Sequence, residues 1–254
     1  QPHTAWHTQW LLGAGYAKEV IGKHTVTPCA NGLERPTTVG RQQGVSRESY
    51  NALAQLRTSF IDDTLHVLYG GRIDDHSDTG SRFSPRAGLI YNPVPNTALK
   101  FLYGNAFRPP TSVQRSGTPL IPGNPDLEPE TIDTYEVVVM RETETWKAQA
   151  TLFHSDWQDA IVTALEGREN QGENEANGVE LSFSVIKGHS RLDFSGSYVE
   201  SKDSVDNVDY AAFPRFILNP GAGLCIPRYN LEIYLINRIH LDAKEGPTSP
   251  ADPS

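Results

Sequence analysis

The 254 residues carry 31 acidic against 22 basic side chains, a net charge of −9, which leaves no basic face for nucleic acid or for acidic lipid. Hydrophobic residues make up 37%, and no apolar run approaches the roughly 18 residues of a spanning helix, which excludes a helical membrane protein. A membrane β-barrel stays open, because its strands need only about 10 residues each and half of every strand faces water.

Residues 6–20 alternate, with Trp10, Leu12, Ala14 and Tyr16 on one parity and Gly13 and Gly15 on the other, the two-residue period of a strand. A polar link, 22–47, leads to a second strand over 48–61 and a tight turn at 62–64. The third strand, 65–74, sets Val67, Tyr69 and Ile73 against Gly70 and Arg72. A polar link at 75–82 precedes a fourth strand, 83–92, with Ala87, Leu89 and Tyr91 opposite Arg86 and Gly88. The turn Asn-Pro-Val-Pro-Asn then opens a fifth strand, 97–108. There Leu99, Phe101, Tyr103 and Phe107 oppose Lys100, Gly104, Ala106 and Arg108.

A long link, 109–129, follows. Strand 132–141 places Tyr135, Val137 and Val139 against Glu136, and strand 147–162 rises from a short turn. Residues 166–178 read as a long acidic loop, after which Val179, Leu181, Phe183 and Val185 oppose Glu180. Strand 191–201, an acidic loop at 202–209, and strands 213–224 and 231–241 complete roughly 11 strands, with a tail at 243–254 reading as a loop cut short. Pro220, inside an otherwise regular strand, requires a bulge or an unpaired position.

The connections sort by length. Short turns at 62–64, 92–96, 142–145, 187–190 and 227–230 alternate with mostly longer links at 22–47, 75–82, 109–129, 166–178 and 202–209. That is the asymmetry of an outer-membrane barrel, with short periplasmic turns and longer external loops. Charge parity agrees: Arg72, Arg86, Lys100, Arg108, Glu136 and Glu180 all oppose their strand's aliphatic or aromatic set. On the lipid face an Arg or Lys near the midplane costs about 2–4 kcal/mol, so these residues are assigned to an aqueous interior. Tyr16, Tyr69, Tyr91, Tyr103 and Tyr135 then point outward, as an aromatic girdle or as ordinary sheet packing.

The stretch Tyr103-Gly-x-Ala106-Phe107-Arg108-x-Pro110, then Asn124-Pro125-x-Leu127-x-Pro129-Glu130, then Tyr135-Glu136, resembles the barrel signature of TonB-dependent outer-membrane receptors. The resemblance extends over about residues 10–241 and is most specific over 69–136. It implies an all-β, antiparallel up-and-down transmembrane barrel, of which residues 1–254 supply one part, roughly 11 of a probable 22 strands. It also implies an energy-coupled receptor for a scarce solute, a ferric siderophore or a cobalamin-like ligand. The expected partners are outer-membrane lipid, the remaining barrel strands, a plug domain not found in this sequence, and the inner-membrane TonB complex acting through that plug. The start at Gln1 and the single methionine, Met140, fit a trimmed or partial chain.

Arg108 and Arg115 are candidate ligand-binding residues near the mouth, because arginine offers a rigid donor fork to an anion. Arg108 is alternatively the partner of a plug carboxylate. Gly104 and Ala106 are small enough to admit a plug beside Arg72, Arg86, Lys100, Glu136 and Glu180. Residues 111–123 hold no histidine, which disfavours haem as the solute. No catalytic motif and no zinc spacing occur, so the chain reads as neither an enzyme nor a cofactor or metal protein. Cys29 and Cys225 cannot form a disulfide framework. A soluble secreted β-sandwich that binds carbohydrate or another ligand is the alternative, and it requires a closed core between two sheets. A complete passive porin is a third reading, weakened by the odd strand count.

Overall fold

The computed structural model describes residues 7–22, 24–25, 29–30, 33–34, 41–42, 45–61, 63–117, 122–164, 167–203, 208–209 and 214–241. The strands are β1 (His7–Ile21), β2 (Val45–Phe60), β3 (Leu65–His76), β4 (Gly80–Tyr91), β5 (Thr97–Arg108) and β6 (Glu130–Glu142). They continue as β7 (Trp146–Ala164), β8 (Gly167–Lys187), β9 (Ser190–Asp203), β10 (Phe216–Ile226) and β11 (Leu231–Ile236), the last resuming as Ile239–Leu241. Each pairs antiparallel with the next in chain order, a single up-and-down sheet. Among the described residues β1 and β11 are its two edges.

Partners in an antiparallel ladder lie on the same face, so register carries a face across the whole sheet. Trp10 opposes Leu56, which opposes Tyr69, then Ala87, Tyr103, Tyr135 and His154. This face is apolar over its middle. Its upper limit is marked by three cross-strand aromatic pairs, Tyr16–Tyr50 and Tyr103–Tyr135 with centroids 5.0 Å apart and Tyr198–Phe216 at 4.7 Å. Immediately beyond the pairs the same face turns polar, with Lys18 bound to Glu48 at 2.8 Å and Asp133 accepting from the Tyr103 hydroxyl at 2.7 Å. At the short-turn end Arg141 stacks over Trp146, 5.8 Å from its ring centroid. An apolar band between aromatic belts is the lipid-facing surface of a barrel.

Among the described residues the buried apolar side chains are few, Leu127, Val138 and Ala160 with the two prolines Pro110 and Pro129. A sandwich needs a second sheet against its apolar face, and here that face stays exposed, with Leu12, Leu181, Phe183 and Leu192 all 43% or more open. The two-sheet alternative is therefore excluded.

Three links are shorter than the sequence pattern indicates. Residues 75–82 are mostly ladder, since β3 runs to His76 and β4 begins at Gly80. Residues 167–178 are strand as well, so the acidic segment extends the β7–β8 hairpin far past the aromatic belt. Within 202–209, Lys202 and Asp203 pair with Val208 and Asp209. All three lie where both faces are wet, and without an apolar face the two-residue period leaves no trace in the sequence. A bulge between Trp157 and Ile161 re-aims the upper hairpin, with Asp159 at φ +56°. Pro220 stays in register with Phe194, and it is β11 that breaks opposite, between Ile236 and Ile239. The tail at 243–254 and the side chain of Cys29 lie outside the described residues, while Cys225 is a free thiol.

Candidate functional site

The residues picked out by charge parity share the second face. Arg72 opposes Ser84, two residues from Arg86, and Arg86 opposes Gly104. Lys100, Ala106 and Arg108 have the parity of Gly104, and Leu102 between them opposes Glu136. Glu136 opposes Phe153, and Thr151 of that parity opposes Glu180. One continuous surface therefore carries all eight. It is not purely polar: Leu68, Leu102, Val138 and Phe153 belong to it too. Those residues follow an i, i+2 pattern of their own, which the larger aromatic set on the other parity masks.

The outer end of this face is stitched together by buried charges. Arg47, its side chain 9% exposed, donates from Nε and Nη2 to Asp78 Oδ2 at 2.9 and 2.6 Å and from Nη2 to the Pro110 carbonyl at 2.5 Å. It thereby ties the top of β2 to the β3–β4 turn and to the link after β5. Arg108 meets its carboxylate inside this chain, in a bidentate pair with Glu130 of the next strand. Glu130, 2% exposed, also accepts the Ile161 amide at 2.7 Å, so it holds β5, β6 and β7 together. The sequence left Glu130 as part of a motif; its burial beside Arg108 gives the physical reason for a carboxylate there.

The link 109–129 contains a helix, α1 (Ser112–Ser116), that alternation does not reveal. Its start is nonetheless legible: Thr111 accepts from the Gln114 amide at 3.1 Å while the Gln114 side chain accepts from the Thr111 amide at 2.8 Å, a reciprocal cap. Arg115, on this helix, donates to the Leu127 carbonyl at 3.2 Å and has no carboxylate partner among the described residues. The β8 strand pins the link from the side. Arg168 donates to the Val113 carbonyl at 2.7 Å, and Asn170 both accepts from the Glu128 amide and donates to its carbonyl, at 2.8 and 2.9 Å. Arg108 is thus neutralised by Glu130, and among the described residues Arg115 is not neutralised by any carboxylate.

Below the stitched rim the wall parts. β3 and β4 pair up to His76 and Gly80, and β5 and β6 up to Arg108 and Glu130, but the β4–β5 ladder stops at Arg86 and Gly104. Pro85, the next residue of β4, has no N–H to donate. The parted strands leave a cavity of about 670 Å³ lined by Arg72, Asp74, His76, Ser84, Arg86, Gly104 and Phe107. Phe107 keeps the expected parity, opposite Thr131 of β6, and with no β4 strand on its other side its ring meets His76 edge-on, with centroids 6.0 Å apart, across the gap.

The family model described as TonB dependent receptor-like, beta-barrel, matches residues 2–232. The iron-regulated outer membrane virulence protein of Vibrio cholerae serotype O1 is 27% identical over 76% of this chain and 34% of its own length. The ferric enterobactin receptor PirA of Pseudomonas aeruginosa is 23% identical over 85% of this chain and 34% of its own. This chain thus spans about a third of the curated relatives it matches. In structure, the siderophore receptor PirA from Pseudomonas aeruginosa superposes with TM-score 0.75 at 18% identity, over 94% of this chain and 43% of that one. The siderophore receptor PirA from Acinetobacter baumannii gives 0.73 at 18%, over 93% and 41%.

Proposed function

Since the chain belongs to the TonB dependent receptor-like β-barrel family, we propose that it forms part of the barrel wall of an outer-membrane receptor for a ferric siderophore. The family is one of receptors and not of enzymes. The division of the sheet into an apolar, aromatic-belted face and a charged one is the observation that carries this reading. Lipid meets the first face. The second is the lumen wall, where Arg72, Arg86, Lys100, Gly104, Ala106, Glu136 and Glu180 look onto a plug and a solute path. Residues 1–254 then act as one piece of a single barrel domain. The remaining strands close the sheet, as they must, because an unpaired edge in lipid costs several kcal/mol per backbone group. The plug supplies the contact with the inner-membrane TonB complex.

A siderophore is favoured over a cobalamin-like solute because the curated relatives are named for iron regulation and ferric enterobactin. Arg115, on α1, has no carboxylate partner among the described residues and is the arginine of this mouth left to meet an anionic cargo, since Arg108 is paired with Glu130. Iron-starved cells whose other receptors are deleted, expressing the full-length receptor, are expected to take up radioiron supplied as ferric enterobactin in a saturable way that stops when the proton gradient is collapsed. Saturable uptake of labelled cobalamin with none of iron would replace the siderophore reading, and uptake of neither would overturn receptor function.

A further inference from the structure

Charge is unevenly spread over the lipid-facing side of the sheet. Register places Glu48, Asp75, Asp133, Asp156, Glu175 and Glu200 on that face, all level with the upper aromatic pairs or beyond them. At the short-turn end the charged strand residues of this face, among those described, are cations: Arg141, the partner of Thr97, and Lys187, the partner of Ser190. Glu142 has the opposite parity, across from Lys147, and Glu144 sits at the tip of the turn. Neither Arg141 nor Lys187 has a carboxylate partner among the described residues. The net charge of −9, read from the sequence as leaving no basic face for acidic lipid, thus conceals a local one. Trp146 joins its two cations. Arg141 lies over the indole ring, and on the other side Trp146 opposes Val185, two residues from Lys187, so the indole is a diagonal neighbour of both. The turn beneath is fixed: the Thr143 hydroxyl and amide donate to the Trp146 carbonyl at 3.0 and 2.8 Å, and the Ile186 amide donates to the Thr145 carbonyl at 2.8 Å. The turn at 227–230 repeats the stacked pair, with Arg228 5.7 Å from the centroid of Tyr229. Immediately towards the bilayer centre the face is apolar and open, with Phe183 43% and Leu192 56% exposed.

We infer that this rim binds an anionic phospholipid of the periplasmic leaflet, its phosphodiester held between Arg141 and Lys187 and its acyl chains along Phe183, Val185 and Leu192. The inference rests on the barrel reading above, which puts the short turns in the periplasm, and adds to it a lipid class and a place. A guanidinium fork suits the paired oxygens of a phosphate, and lysine adds a point charge beside it. Stacking on the indole holds the guanidinium by the ring quadrupole and leaves its in-plane donors free. A soluble phosphate would use the cations and leave the apolar wall uncovered, whereas a phospholipid uses both. The carboxylates at the far end of the same face deny an anionic headgroup an equal seat there. Bilayer is what covers this side of the wall, so the site does not involve the plug.

A full-length receptor carrying Cys29→Ser and Cys225→Ser is labelled with a fluorophore at Leu192→Cys, beside the cations, or at Ile73→Cys, on the same face near the acidic end. Each is reconstituted in phosphatidylcholine vesicles in which a set fraction of lipid is brominated phosphatidylglycerol or brominated phosphatidylcholine, and quenching gives the relative affinity of the labelled spot for the two. Two cations at about fivefold each should favour phosphatidylglycerol about fivefold to twentyfold at Leu192. At Ile73 the preference should be absent or reversed. Arg141→Gln with Lys187→Gln should bring the Leu192 ratio close to unity, while Lys202→Gln, which removes a cation of the same face at its far end, should leave it unchanged. Equal quenching by the two lipids at Leu192, or a preference that survives the double variant, overturns the headgroup site. Quenching by neither lipid at either label would overturn the barrel reading on which it rests.

Discussion

Leu181→Arg is expected to keep most of the receptor from reaching the outer membrane folded, while Ser182→Arg, one residue along, is expected to be accepted. Leu181 is the middle of an apolar run, Val179, Leu181, Phe183 and Val185, on the belted face of β8. Its partners across the sheet, Ala150 and Gly196, bring no polar atom within reach of a buried charge. An arginine near the bilayer midplane on this face costs about 2–4 kcal/mol, a large fraction of a typical domain's stability. Ser182 opposes Gln149 and Ser195 on the other face and is exposed there. A guanidinium at Ser182 extends into water and loses little. The amount of heat-modifiable, folded receptor in purified outer membranes reads the difference, and equal yields of the two variants would contradict the assignment of faces.

Arg47→Ala should loosen the whole mouth. Its guanidinium joins Asp78 to the Pro110 carbonyl across the top of the gap, and its side chain is 9% exposed against 23% for Asp78. Removing one partner of a pair buried this far typically costs about 3–5 kcal/mol, because the other charge remains without compensation. Asp78 is poorly placed to absorb the loss, since its Oδ1 is already buried without a hydrogen bond. Hydrogen exchange should speed up at residues 77–79 and 109–117 while protection within the apolar band of β3 to β6 holds. Arg47→Leu combined with Asp78→Leu should recover much of the stability, since neither charge is then stranded. Equal exchange in Arg47→Ala and the unaltered receptor would show that the clasp carries no load.

The strands that cross the band were legible because lipid on one side and water on the other impose a strict two-residue alternation. Leu99, Phe101 and Tyr103 against Lys100 and Gly104 is such a pattern, and the register places it as read. Where both sides are wet the constraint lapses, and the upper half of β8, residues 167–178, rich in Asn, Glu and Gly, looks like loop while forming ladder with β7. Phe107 keeps the parity of Tyr103 in the β5–β6 ladder, opposite Thr131, but with β4 gone from its other side its ring meets His76 across the gap. Among the site residues, the shared face of Arg72, Arg86, Lys100, Glu136 and Glu180 followed from alternation alone. The Arg108–Glu130 pair was hidden, because its members lie 22 residues apart and meet only through the β5–β6 register. The gap itself has a faint signal in Pro85, a residue unable to complete a ladder, inside an otherwise regular strand.

The two sides of the wall can be distinguished with a pair of labels at neighbouring positions, Lys100 and Phe101. Each is replaced by cysteine in a full-length receptor whose Cys29 and Cys225 are serine, then tagged with a nitroxide in lipid bilayers. Molecular oxygen, which concentrates in hydrocarbon, should relax the Phe101 label far more than a water-soluble nickel chelate does, and the order should reverse at Lys100. Oxygen favouring Lys100 with the chelate favouring Phe101 would contradict the account at its root.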